Sequence, residues 1–422
     1  MPDHTDKLIA LDPRRPRKRL PRLPATLVSK PCVDVANHAK DLAFLAVTRE
    51  LAVSRASRPK IFRLEFDDGS GVVVRGCGLI GRDPAPVAGS DVEHLVALKD
   101  NSLSLSRTHL EFGLEESGLW VRDCFSTNGS GIEFGGQQAR LVPGQPVHAP
   151  AWSTIHFGER RAKVQDITGR ARVGNATVDW GIATRIGVTH VQNEDAFCTA
   201  APVFVVADGL GAHHRGDVAS REAIEALLTL TGRTDVTERM LQQCLSDARS
   251  RISRIPVEAA RAPATTLSGV IITRAETAPM WMVVNIGDSR TYRLDAEMFR
   301  QISVDHSIGQ DLVDRGAVAS SSASCLPFGN MLTRALTADS EPTADVWLLP
   351  MEADDRILVC SDGLTKALAD DTIAAVLREI PDPLEAAEEL ADAALSTGER
   401  DDVTVLVVDA VAIDESRRRS EL

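Results

Sequence analysis

At 422 residues the chain exceeds the roughly 100 to 200 residues of an ordinary domain, so two or three domains are expected. Its 43% hydrophobic and 25% charged content excludes wholesale disorder and a fibrous repeat, and no run approaches the roughly 18 apolar residues of a membrane helix. The net charge of −13 is unevenly placed: residues 1–60 hold 13 Lys/Arg against six Asp/Glu, so the remainder is strongly acidic and unsuited to nucleic acid.

The first 30 residues include "PRRPRKRLPRLP", where proline blocks regular structure and like charges repel, so a disordered basic arm is expected, followed by a helix over 35–55. Nothing at the N-terminus resembles a secretory signal, which makes a cytoplasmic location without membrane insertion the expectation. From about 59 to 165, short alternating runs broken by Gly, Asn, Asp and Pro predict an all-β sandwich. Residues 166–178 read as a linker. From 179 to 412, β-branched runs ("VFVVAD", "LSGVIIT", "WMVVNIGD", "RILVCSD", "VTVLVV") are grouped with helical stretches ("REAIEALLTLTG", "ERMLQQCLSDARSRI", "PLEAAEELADAALSTG"), which predicts sheets flanked by helices. Residues 413–422 read as a solvated tail. The seven cysteines include no CxxC pair, which argues against a disulfide framework and a thiolate zinc site.

Three apolar runs of the second half end in an aspartate, at Asp208, Asp288 and Asp362, and Asp401-Asp402 precedes a fourth. Glu194-Asp195 precedes a short apolar run of its own. Antiparallel pairing would gather these groups at one rim, where their repulsion demands protons or cations. All-oxygen donors select Mg2+ or Mn2+, and two such ions sharing a water can turn it on a phosphorus centre. For any one position alone, Asp-Gly after a strand is an ordinary turn. The adjacent His213 and His214 have the wrong spacing for one ion and read as surface or helix-entry residues.

The segments "QNEDAF", "VADGLGAHHRGDVAS", "NIGDSRTYRL", "DHS", "LTRAL", "CSDGL" and "RDDVTVLVV" resemble, in order and spacing, the metal-dependent protein phosphatases of the protein phosphatase 2C family, bacterial type, over about 180–410. That resemblance implies a four-layer α-β-β-α sandwich, a binuclear Mg2+ or Mn2+ centre with a possible third ion, and hydrolysis of phosphoserine and phosphothreonine by a metal-bound water. It implies Asp208 bridging both ions with the Gly209 carbonyl beside it, Asp362 and Asp401 completing the first site, Glu194 and Asp195 holding the second, and Asp288 helping a third. A mobile flap is implied over Asp305 to Arg334. Three departures stand out: His190 replaces the arginine that grips the substrate phosphate, Asp402 replaces an asparagine, and Leu210 replaces the histidine that many eukaryotic members use as an acid.

Upstream, Gly81-Arg82, Ser106 to His109 and Ser126 to Gly129 resemble the three motifs of the forkhead-associated domain, a reader of phosphothreonine. The resemblance implies that Arg82 and Ser106 grip the phosphate, Arg107 assists, Thr127 and Asn128 bind the peptide, and His109 braces the loops. Phe134-Gly135 replaces the customary Asn-Gly. The combined expectation is a serine/threonine phosphatase that docks on phosphorylated proteins, among them a Ser/Thr kinase or its substrates. The competing expectation is a phosphatase-fold adaptor with negligible turnover because of His190.

Overall fold

The computed structural model describes residues 60–414 except 88, 90, 117, 211–214, 257–261, 297, 320–325 and 327. The expected basic arm, the helix over 35–55, His213, His214, most of the C-terminal tail and part of the expected flap lie outside the described residues. Among the described residues the chain divides into two compact units, with the boundary between Gly169 and Arg170.

Among the described residues, the regular elements of the first unit are all strands. In Phe62–Phe66, Phe62, Leu64 and Phe66 are buried while Arg63 and Glu65 are half-exposed, the period-two pattern of a strand with one face on a core. This strand lies between Gly71–Val74 and Arg160–Asp166 in a six-stranded sheet that continues through Thr154–Phe157, Ser130–Phe134 and Gln137–Arg140. A second sheet runs His94–Ala97, Gly78–Gly81, Leu110–Glu115, Gly118–Asp123, Val147–His148, its first pair parallel. The inner faces share a core of Leu64, Phe66, Ile80, Leu110, Phe112, Leu119, Val121, Ile155 and Phe157. Burying each such side chain is worth about 1.5–3 kcal/mol, enough to hold two small sheets together without disulfides. The cysteines of the described residues are accordingly free thiols.

Residues 166–178, expected as a linker, are strand instead: Thr168–Val173 and the start of Ala176–Arg185. The polar texture misleads because the segment forms a sheet edge, where Arg170 can stay half-exposed and pair with Asp179 at 2.6 Å.

In the second unit, Ala176–Arg185 pairs along its whole length with Val403–Ile413, placing both chain ends of this unit side by side. The six-stranded sheet is completed by Arg356–Cys360, Arg290–Leu294, Phe299–Gln301 and, at the other edge, Thr168–Val173. A five-stranded sheet runs Ala196–Cys198, Val203–Ala207, Leu267–Ala275, Ala278–Ile286, Asp345–Pro350. Strands of the two sheets touch face to face, Val203–Ala207 against Val403–Ile413 and Leu267–Ala275 against Arg356–Cys360. Both faces of each sheet are therefore covered, which is why these antiparallel strands read as unbroken apolar runs rather than alternating ones.

Helices complete four layers. Gly216–Leu227 (α1) lies on the five-stranded sheet with Glu238–Ile252 (α2) packed beside it. Asp362–Ala367 (α3), Asp370–Glu379 (α4) and Pro383–Ser396 (α5) cover the other sheet. α5 starts as its sequence dictates: the Asp382 carboxylate accepts from the N–H groups of Leu384 and Glu385, and Pro383 opens the first turn. Its small face of Ala386, Ala387, Ala391 and Ala394 lets it sit close to the strands. Gly181 is the counterpart on the sheet, since a Cβ there would stand 2.2 Å from Leu384 N. Across the sandwich, the buried Trp281 indole donates to Asp355 at 2.9 Å, and Arg293 pairs with the same carboxylate at 2.6 Å.

Candidate metal centre

Strand register brings the carboxylates together. Ala196 faces Ala207, so Asp195 and Asp208 leave their strands at the same edge. Leu267 faces Ile286, which sets Thr266 between Asp208 and the Gly287-Asp288 turn. These groups crown the five-stranded sheet. On the six-stranded sheet Cys360 faces Val405, so Asp362 and Asp401-Asp402 emerge together. The two crowns meet: Ser361 Oγ donates to Asp195 Oδ2 at 2.9 Å, and Glu194 N–H donates to Asp402 Oδ2 at 2.7 Å.

The backbone of Asp208 is fixed on every side. Its N–H donates to Thr266 Oγ1 at 3.0 Å, while its carbonyl accepts from Thr265 Oγ1 at 2.9 Å and from Thr266 N–H at 2.8 Å. Gly209 N–H donates to the Glu194 carbonyl at 3.2 Å, tying the two acidic loops together. Side chains have no room at Gly209: a Cβ would lie 2.4 Å from the Gly216 carbonyl and 2.5 Å from that of Glu194. Leu210, half-buried, continues into a two-residue strand paired with Ala264–Thr265.

Asp195 and Asp208 are both buried, 8% exposed. Burial, then repulsion from Asp195, Asp362, Asp401 and Asp288, drives the Asp208 carboxyl well above the ordinary range. Burial pushes Asp195 up to about 8, with Asp402 adding repulsion against the donors of Ser361 and Thr404. Burial followed by Asp362 and Asp305 raises Asp288 to about 8, and burial raises Glu194 to about 7. Asp362 is also raised, by burial and Asp401, with Lys366 opposing. Carboxylates collected at this density cannot all stay ionised without cations.

The residues fit a divalent ion on two counts. Every donor is oxygen, the set that hard ions prefer. Asp362 Oδ1 is buried without a hydrogen-bond partner, an orphan acceptor on one of the clustered carboxylates. Among the described residues no three acidic, His or Cys side chains already converge on one point. Mg2+-type sites keep several waters and take only one or two carboxylates each, so an ion pair spread along a rim does not require such a trio.

The sequence marked Asp402 only as an added charge and did not point to two further residues that organise this rim. Asp402 is a buried brace, accepting from Gly187 N–H at 2.8 Å as well as from Glu194 N–H, rather than a surplus charge. Ser361 is hidden behind the Asp that follows it. Lys366 lies four residues after Asp362 on α3, and its Nζ stands 2.6 Å from Asp362 Oδ2 and 2.8 Å from Asp401 Oδ2. The i,i+4 spacing was the one available signal for it.

His190 Nδ1 lies 3.1 Å from Asp402 Oδ2, an ion-pair approach without the angle of a directed hydrogen bond, and Nε2 lies 4.0 Å from Asp401 Oδ1. Burial disfavours its charge, but Asp402, Asp401 and Glu194 outweigh burial and raise the imidazole pKa. Its acidic neighbours are closer than sequence separation suggests, and they favour the charged form of the ring. Within the expected flap, Ile308–Asp314 is helical, and the preceding Asp305 is tied to Arg290 at 2.7 Å.

In the first unit, the three loops that carry Arg82, Ser106 and Thr127 also adjoin. Arg82 N–H donates to the Ser106 carbonyl at 3.2 Å and Thr127 N–H to Ser106 Oγ at 3.1 Å. The buried His109 ring accepts from Ser106 N–H at Nδ1 and bonds the Gly129 carbonyl through Nε2, both at 3.2 Å. Arg82, Arg107 and Thr127 are exposed on this face. Asn128 is exposed as well, and its amide donates to the Ser104 carbonyl at 2.8 Å.

Comparison with known proteins agrees for the second unit. The family model for protein phosphatase 2C matches residues 189–397. The serine/threonine phosphatase stp of Listeria innocua is 30% identical over 230 residues, covering 52% of this chain and 88% of the relative. The serine/threonine protein phosphatase PstP of Mycobacterium tuberculosis is 34% identical over 234 residues, 54% of this chain and 44% of PstP, so the match spans less than half of that relative's length. The crystal structure of the M. tuberculosis phosphatase PstP/Ppp superposes with a TM-score of 0.50 at 31% identity, covering 56% of this chain and 99% of the other. The chain belongs to the protein phosphatase 2C family.

Proposed function

We propose that the second unit is a metal-dependent protein serine/threonine phosphatase. The observation that carries this reading is the single rim of Asp195, Asp208, Asp288, Asp362 and Asp401, in which Asp362 Oδ1 is buried without a hydrogen-bond partner. Asp208, buried and repelled by all the others, is suited to lie between two Mn2+ or Mg2+ ions, with the Gly209 carbonyl beside it. Asp362 and Asp401 would hold one ion, Glu194 and Asp195 the other, and Asp288 a third. When bound, such ions activate water for in-line attack on a phosphate ester. The chain's own part is to hold the carboxylates at fixed positions through Thr265, Thr266, Ser361 and Asp402, and to bring His190 and Lys366 to the mouth.

The test is manganese-dependent hydrolysis of a phosphothreonine peptide, with Asp208→Ala as control. Turnover that needs metal and disappears in the variant is the expected result. No metal-dependent turnover anywhere between roughly pH 6 and 9 would overturn the reading.

The first unit is read as a phosphothreonine-binding domain of the forkhead-associated type that recruits phosphorylated proteins, a kinase or its substrates among them. Support comes from one guanidinium and two hydroxyl-bearing residues on three adjoining loops, the set that holds a phosphate dianion by charge-assisted hydrogen bonds. Thr127 and Asn128 are read as contacts to the peptide, and the Asn128 amide also braces that face through its bond to Ser104. A phosphothreonine peptide should bind the full chain and fail to bind Arg82→Ala; equal affinity would count against the pocket.

A further inference from the structure

Lys366 occupies an unusual position for a lysine. Its helix carries it back over Asp362, and its Nζ bridges the carboxylates of Asp362 and Asp401, which come from the ends of neighbouring strands. Lys366 and Asp401 are each about one-third exposed (34%), whereas Asp195 and Asp208 are 8% exposed. The bridge is therefore the solvent-facing part of the cluster, where an arriving phosphate group would meet it first.

Two considerations of charge follow. A divalent ion shared by Asp362 and Asp401 would sit within a few ångströms of the ammonium, and at that range like charges repel strongly in a partly buried site. A lysine on a flexible four-carbon stem at the mouth can yield its place. Secondly, two divalent ions among Glu194, Asp195, Asp208, Asp288, Asp362 and Asp401 leave the rim net negative. An arriving phosphate dianion then needs a cation, and His190 is already engaged by Asp402.

We propose that Lys366 is a displaceable counter-cation: it clamps Asp362 to Asp401 until a divalent ion takes its place, and then its ammonium pairs with the substrate phosphate at the mouth. The proposal rests on the metal reading given above.

It predicts effects of opposite sign in one variant. In Lys366→Met, titration calorimetry of the full chain should show Mn2+ binding tighter by on the order of tenfold, the scale of coupling between two ligands that compete through charge. Inorganic phosphate should bind the Mn2+-loaded variant weaker by about tenfold, the worth of one charge-assisted hydrogen bond. Lys366→Gln should repeat both changes, and Lys366→Arg should keep phosphate affinity within about threefold because it keeps the charge. A merely structural lysine would weaken both affinities. That result, or either affinity unchanged in both neutral variants, overturns the proposal. Failure of the metal reading is seen separately, on the unaltered protein: if it takes up no more Mn2+ than Asp208→Ala, both readings fall together.

Discussion

Ser361 Oγ donates to Asp195 Oδ2 at 2.9 Å while accepting from Thr404 N–H at 2.9 Å, so one hydroxyl joins the acidic ends of both sheets. Replacing it with alanine leaves a buried carboxylate short of a donor. Ser361→Ala should cost about 1–3 kcal/mol in the metal-free protein, measured by urea denaturation. An unchanged midpoint would show that Asp195 is satisfied in another way.

Asp208 poses the opposite case. Its charge is opposed by burial and by four neighbouring aspartates, so neutralising it relieves the fold while removing the proposed bridging ligand. Asp208→Asn should raise the melting temperature of the metal-free chain, abolish stabilisation by added Mn2+, and lower turnover at least about 100-fold, equal to about 2.7 kcal/mol. A variant that melts lower than the parent without metal would contradict the assignment of repulsion at this position.

His109 should give the first unit a pH dependence. Burial lowers its pKa below 6.5, and protonation would also remove the Nδ1 lone pair that accepts from Ser106 N–H. The folded state then binds fewer protons than the unfolded state below about pH 6.5, so stability is intact above that pH and is lost as pH falls towards the folded-state pKa. His148, lowered mainly by burial, acts in the same direction. Thermal melts between about pH 7 and 5 should fall less steeply in His109→Gln than in the parent, since the amide has no proton to gain. Parallel slopes would remove His109 from the account.

Gly181→Ala tests the contact between α5 and its sheet. The added methyl would stand 2.2 Å from Leu384 N and 2.3 Å from its Cα, backbone atoms that cannot swing aside. A loss of about 1–3 kcal/mol or more by chemical denaturation is expected. The same change at Gly174, whose Cβ would meet nothing within 4 Å but whose φ is +62°, should act only through local backbone strain.

Much of this molecule is local and could be read as such. Each apolar run that stops at an aspartate does so because a strand ends there, and α2 spans the whole of "ERMLQQCLSDARSRI" because its Thr237 cap and apolar spacing are contiguous in the chain. The motifs of the first unit that resemble the forkhead-associated domain are likewise short segments recognisable one at a time. Where a segment's surroundings decide, reading it alone fails: residues 166–178 carry the composition of a linker, yet sheet partners far along the chain, such as Ile413 opposite Ala176, turn part of it into strand.

What the tertiary structure alone decided is who faces whom across the rim. Register, which a single residue of slip would reverse, set Asp195 beside Asp208 and Asp362 beside Asp401. Face-to-face packing then brought the two pairs within reach, setting His190 3.1 Å from Asp402, 212 positions away, and closing Lys366 across Asp362 and Asp401. The amino-acid order supplies the carboxylates and the strands that carry them; their mutual repulsion, and hence the need for cations, exists only once distant strand ends share one small volume of low dielectric.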